Sequence, residues 1–303
     1  MEKKTSDLRR RADALKETII EKLLFVCASV SIIIVLLIFL FLFYEGLPAL
    51  REIPILDFLT GSSWQPTSAI QPEFGTTPLV YGTLLVTFIA MIIALPLGIA
   101  IAVYIAEVAH PREKELLKPV IEVLAGIPSV VYGFFALVTL ATWLQQATGT
   151  TSRLNALNGG IILAIMAIPT IVSLAEDAIT SVPREYKEAS LALGASRWDT
   201  IRSVVLPSSA SGILAAALLG FGRAIGETMA VLMATGNAAI INLNILDSIR
   251  TITATIAIET PEVAFGSLHY HALFALALLL FAITFAFNYI AGLVIQRFRR
   301  LGR

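Results

Sequence analysis

The chain has 303 residues, of which 57% are hydrophobic and 15% charged, with 22 basic and 22 acidic side chains in balance. That composition excludes a water-soluble globular domain, which runs nearer half apolar and a quarter charged and would here expose large apolar patches. The single cysteine, Cys27, excludes an internal disulfide or a cysteine metal framework and reads as a small hydrophobe inside an apolar run.

A spanning helix needs about 20 mostly apolar residues, and six stretches qualify: 23–44, 79–106, 120–143, 159–180, 208–236 and 272–295. A basic segment, 1–22, abuts the first. Nucleic-acid binding is one reading of such a cluster, but direct contact with a long apolar run favours the membrane. Residues 23–44 are uncharged, longer than the roughly 7–15 residues of a signal-peptide core, and no small-x-small cleavage site follows. The run therefore reads as a retained helix. A loop at 45–76 follows, then the main body at 77–296 and a basic tail at 297–303. The apolar piece 252–258 is too short to span and reads as a periplasmic or re-entrant helix. Pro96, Pro128 and Pro169 fall inside spans, where each removes a backbone hydrogen bond and bends its helix.

Lysine and arginine set the orientation. With the N-terminus inside, inner segments carry 18 and outer segments three, Arg51, Arg153 and Arg250. Both termini are then cytoplasmic, and the chain is an all-α, polytopic membrane protein of about six helices.

The cytoplasmic loop 183–207 reads as two short helices with a break. Pro183 suits a helix start, Gly194 a left-handed helix end, and Ser196 with Asp199 a capping box. Pro207 marks the turn into the fifth span. Two readings stay open on spacing alone, a solvated loop or an amphipathic pair that docks into a partner's groove. Glu188-Ala189-Ser190, Gly194, Val204, Leu206 and Pro207 resemble the EAA loop of ABC importer permeases, with Ser190 in place of alanine and Val204 in place of isoleucine. The resemblance implies the type 1 ABC importer permease fold. It also implies that Glu188, Ala189, Ser190, Gly194, Leu206 and Pro207 couple to a cytoplasmic ATPase. None of the seven lysines completes a P-loop, so ATP and its magnesium belong to a partner subunit, and neither catalytic residues nor a cofactor or metal site is expected in this chain.

In the fifth span, Arg223 lies 16 residues beyond Pro207, about 24 Å along a helix. A charge at that depth faces a bundle interior or a polar cavity. Glu227 is four residues on, on the same helix face, and Gly222 with Gly226 has the spacing of close helix packing. The pair reads either as part of a translocation path, Glu227 holding Arg223 until an anion takes it, or as a structural ion pair.

Gly-Arg-Ala-Ile-Gly-Glu-Thr-Met-Ala at 222–230, Gly-Ile-Pro-Ser-Val-Val-Tyr-Gly at 126–133 and Phe-Gly-Ser-Leu-His-Tyr-His-Ala-Leu-Phe at 265–274 resemble phosphate ABC permeases. The Gly-Glu-Thr-Met-Ala run and Phe-Gly-Thr-Thr-Pro-Leu-Val-Tyr-Gly at 74–82 are similar to the C-type branch. The resemblance implies a cell-membrane importer for inorganic phosphate with Arg223, Glu227 and Thr228 on its path. Its implied partners are a homologous A-type permease, two ATPase subunits and an extracytoplasmic phosphate-binding protein, and nucleic acid is not among them. The A-type sister, a sulfate or molybdate permease, a self-contained channel and a membrane enzyme remain as rival readings.

His269 and His271 lack a third metal ligand and read as interfacial polar groups. Tyr44, Trp64 and Trp143 suit aromatic belts. Asn288 suits an interhelical hydrogen bond. Glu176 and Asp177 read as solvated carboxylates near the inner mouth.

Overall fold

The computed structural model describes residues 2–68 and 70–301, with side chains described for 17–68 and 70–297. The side chains of the basic cluster from Lys3 to Lys16, and of Arg299, Arg300 and Arg303, lie outside the described residues. Six helices are long and apolar enough to cross a membrane: Glu17–Glu52, Thr77–Val108, Ser129–Thr148, Ala156–Thr180, Arg197–Ile225 and Leu268–Arg297. They are spans one to six below.

Spans two and four form the central pair, and span five packs on span four. Val86, Ala90 and Ala94 of span two meet Ile162, Leu163, Ala167 and Ile171 of span four in a fully buried core. Small residues bring the backbones together. A Cβ on Gly160 would sit 2.3 Å from Ile89 Cγ2, so nothing larger than glycine fits there. Spans one and six form a second pair, and Ala49, Leu273 and Leu276 close a second core with Phe58, Trp64, Phe74 and Ile252. Most of span one is otherwise exposed, as a lipid-facing helix requires.

Several element ends differ from the sequence expectation. The first helix runs unbroken from Glu2 to Glu52, so the residues before the first span share its helix. The last runs on to Leu301, so the 297–303 tail begins as helix. Residues 45–76 hold the end of the first helix, a short helix Ile55–Thr60 and an antiparallel pairing of Trp64–Gln65 with Glu73–Phe74. Trp64 is 3% exposed, in the outer core and not in an interfacial belt.

The third span begins at Ser129, nine residues later than expected. Residues 120–126 close a separate amphipathic helix, Pro111–Gly126. Pro128 disfavours helix at the residue before it, and Ile127 is extended at φ −66° and ψ 128°. Two lysines hold this helix to the bundle: Lys114 Nζ donates to Ala106 O at 2.9 Å, and Lys118 Nζ lies 3.0 Å from Glu176 Oε2. Glu176 also accepts from Thr180 Oγ1 at 3.0 Å and is buried. It is therefore an anchored carboxylate and not a solvated one, whereas Asp177 is exposed.

Candidate functional site

The loop between spans four and five takes the two-armed form its caps require. The first arm, Arg184–Ala192, follows Pro183 and ends near Gly194, whose φ of +88° is a left-handed value that glycine adopts without a Cβ clash. Ser196 Oγ accepts from Asp199 N at 3.2 Å, and Asp199 Oδ2 accepts from Ser196 N at 3.3 Å. That reciprocal box starts the second arm at Arg197.

The second arm does not stop at Pro207. A π-helical turn, Ile201–Val205, carries it directly into helix Leu206–Ile225. Pro207 sits directly behind that π-helical turn, and Ser209 Oγ donates to Val205 O at 2.8 Å. Leu206 and Pro207 therefore belong to one continuous rod between the loop and the membrane centre, not to a turn.

Glu188 and Ala189 are exposed, as are the apolar side chains of Tyr186, Leu191, Leu193 and Trp198. Ser190, one of the two residues that depart from the EAA pattern, places its hydroxyl 2.9 Å from Thr200 Oγ1 and so joins the two arms. Lys187 Nζ lies 2.6 Å from Glu107 Oε1. Glu107 belongs to a π-helical turn, Tyr104–Val108, at the inner end of span two. This ion pair is mostly shielded, with side-chain exposures of 22% and 14%.

The fifth span is not one helix to residue 236. Helix Leu206–Ile225 ends at Gly226, and a short helix, Met229–Ala234, resumes after Thr228. Unwound backbone at membrane depth is tolerated only where protein buries it or where it lines a wet cavity. The interruption separates the two charges that a continuous helix would stack. Arg223 is exposed, in the last turn before the break, and its Nη1 donates to Thr170 Oγ1 of span four at 3.1 Å. Glu227 Oε1 accepts from Ala230 N at 3.2 Å, capping the short helix. No ion pair joins Arg223 to Glu227 among the described residues. Thr228 is half-buried, with its hydroxyl 3.4 Å from Gly226 O.

The tight glycine contacts are also elsewhere than expected. A Cβ on Gly222 would find its nearest neighbour, Asn288 Oδ1, at 3.9 Å, and one on Gly226 would find Gly222 O at 3.6 Å. At Gly212 and Gly220 a Cβ would lie 2.4 Å from Ala178 Cβ and 2.6 Å from Ile171 Cγ1. In the fifth span Gly212 and Gly220, two turns apart, are the tightly packed glycines within this chain, and Gly222 and Gly226 are not. Asn288 is exposed and makes no hydrogen bond among the described residues.

On the outer side, Glu259 Oε2 lies 2.8 Å from His269 Nε2, and His271 Nδ1 lies 2.8 Å from Glu45 O. The two histidines thus have separate partners. Sequence reasoning missed Thr170, Glu107, Lys187 and Glu259. The one visible signal was a lone carboxylate at the end of span two facing a loop that carries a lysine beside its motif.

Residues 94–300 match the family described as binding-protein-dependent transport system inner membrane component. The probable ABC transporter permease protein YqgH of Bacillus subtilis is 36% identical, over 92% of this chain and 90% of its own. The phosphate transport system permease protein PstC of Mesorhizobium japonicum is 37% identical over 79% and 78%, and that of Xylella fastidiosa (strain Temecula1) 32% identical over 97% and 94%. Among solved structures, an inward-facing MetNI methionine ABC transporter aligns with a TM-score of 0.57 at 17% identity, covering 73% of this chain and 94% of that one. A bacterial alginate ABC transporter in complex with its periplasmic protein aligns at 0.61 and 15%, over 90% and 94%.

Proposed function

The chain belongs to the family of binding-protein-dependent transport system inner membrane components, and from that premise we propose that it is a permease subunit of an ATP-driven importer of inorganic phosphate, of the C type. Relatives named as phosphate transport permeases, similar along most of its length, support the substrate. The observation that carries the reading is the interrupted fifth span with Arg223 at its edge. Its hydrogen-bond partner is a hydroxyl, so the guanidinium charge is not neutralised locally. A guanidinium fork matches phosphate oxygens in pairs.

In this reading Arg223, Glu227 and Thr228 line one half of the path, and a homologous A-type permease supplies the other half. The space outside Gly222 and Gly226 receives that partner. A phosphate-binding protein delivers the anion at the outer loops. Two cytoplasmic ATPases grip the exposed side of the coupling loop, at Glu188, Ala189, Gly194 and the apolar side chains around them, and they alone hydrolyse ATP. Their closure moves Arg184–Ala192. The motion enters span two through Lys187 and Glu107, and it enters span five through the unbroken rod from Arg197 to Ile225. Access to Arg223 then alternates between the two faces.

The test is co-reconstitution with an A-type permease, the ATPase and the receptor in proteoliposomes. Uptake of labelled phosphate that requires ATP and resists excess sulfate and molybdate supports the proposal. Uptake without the ATPase, or equal competition by sulfate, contradicts it.

A further inference from the structure

We propose that the short helix Ile252–Glu259 is a strut that fixes the geometry of the break in the fifth span from the outer rim. Thr253 is its positioning residue at the inner end, and Glu259 its anchor at the outer end. The inference deepens the proposed function and rests on its reading of that break as the anion path.

The inner end is held at the break itself. Thr253 is 7% exposed, and its hydroxyl donates to the Glu227 carbonyl at 2.7 Å. The interruption leaves that carbonyl without a backbone donor among the described residues, and a buried acceptor without a partner is costly. Because Thr253 spends its one proton there, the 3.1 Å contact with Thr251 Oγ1 is donated by Thr251. Thr251 Oγ1 also accepts from Ala254 N at 3.2 Å and so caps the helix. Ile252 N donates to Thr83 Oγ1 of span two at 2.9 Å, which fixes the helix sideways.

The outer end is held by three donors from three different segments. Glu259 accepts from Arg250 Nη1 at 2.8 Å, from Trp64 Nε1 at 3.0 Å and from His269 Nε2 at 2.8 Å. Arg250 precedes the strut, Trp64 belongs to the outer hairpin, and His269 opens span six. Six residues separate Thr253 from Glu259, about 9 Å of helix. A helix this short, buried along Ile252, Thr253, Ala254 and Thr255, moves as a unit. A displacement of the outer rim therefore reaches the Glu227 backbone directly, and with it the segment between Arg223 and Thr228.

The test uses the full importer in proteoliposomes, with phosphate uptake measured over a range of receptor-bound phosphate. Thr253→Val is expected to lower the maximal rate about tenfold, the order set by one partly buried acceptor left unpaired, with KM changed less than about twofold. Thr253→Ser, which keeps the donor, restores the rate. Glu259→Gln also slows transport, and the double variant Thr253→Val/Glu259→Gln is no slower than the slower single, because both changes release the same strut. Parent-like uptake by Thr253→Val overturns the proposal, as does a double variant whose two losses multiply. Should Thr253→Val fail to co-purify with its partners, Glu259→Gln carries the test, and a parent-like rate there overturns it. Arg223→Gln runs alongside. If it transports normally, the path reading fails; if it is inactive while Thr253→Val is normal, only the strut fails.

Discussion

The Arg223 guanidinium is held by Thr170 Oγ1 at 3.1 Å, while Glu227, four residues on, turns its carboxylate to the Ala230 N–H. A neutral hydroxyl orients the guanidinium without cancelling its charge. Thr170→Val is expected to slow phosphate uptake severalfold, and Thr170→Ser to restore it. Thr170→Asp places a carboxylate against Arg223 and is expected to slow uptake more than valine does, at least about tenfold, since a fixed anion at hydrogen-bond range competes with the transported one. Uptake kinetics of the three variants check the order.

The Lys187–Glu107 pair links the first arm of the loop, Arg184–Ala192, to the inner end of span two. Lys187→Met leaves the Glu107 carboxylate shielded and unpaired, at a cost of about 1–3 kcal/mol. The expected outcome is ATP hydrolysis that continues while phosphate moved per ATP falls. The charge-exchanged double variant Lys187→Glu/Glu107→Lys recovers part of that ratio. Measuring uptake and hydrolysis in the same vesicles gives the answer.

Lys118 and Glu176 pin the amphipathic helix Pro111–Gly126 to span four. The Lys118 side chain is 49% exposed, so Lys118→Met costs only about 1 kcal/mol. The double variant Lys118→Met/Glu176→Gln is expected to be more stable than the single, because the buried oxygen that Thr180 donates to remains while the unpaired charge is gone. Thermal denaturation in detergent checks both, and hydrogen exchange at 111–126 rises in the single variant.

Two glycine pairs separate packing within the chain from packing between subunits. Gly220→Val drives a side chain into Ile171 and is expected to destabilise the isolated chain by about 1–3 kcal/mol. Gly222→Leu has open space in this chain and is expected to leave its melting temperature within about 2 °C, while it reduces co-purification with the A-type permease. Thermal shift and pull-down distinguish the two effects.

Much of this architecture was legible in the residues. Apolar run length gave six spans, the lysine and arginine bias gave their orientation, and Gly194 with the Ser196–Asp199 pair gave the two arms of the loop between spans four and five. Periodicity could not reveal what breaks or continues a helix. Gly126-Ile127-Pro128 cuts an apolar run that reads as one span, Gly226 cuts another, and the π-turn at Ile201–Val205 removes a break that Pro207 suggests. Long-range partners were equally hidden. Thr170 lies 53 positions from Arg223 and Glu107 80 from Lys187, and no local pattern encodes such meetings. Arg223 itself was visible because a charge deep in an apolar run stands out whatever its partner.

The most direct measurement is ATP-dependent uptake of labelled phosphate by the reconstituted importer carrying Arg223→Gln, with assembly verified by co-purification of all subunits. The expected result is an assembled complex whose phosphate uptake falls to background while the parent transports. An assembled Arg223→Gln importer that moves phosphate at the parent rate would contradict it, and would return Arg223 to a purely structural role in the bundle.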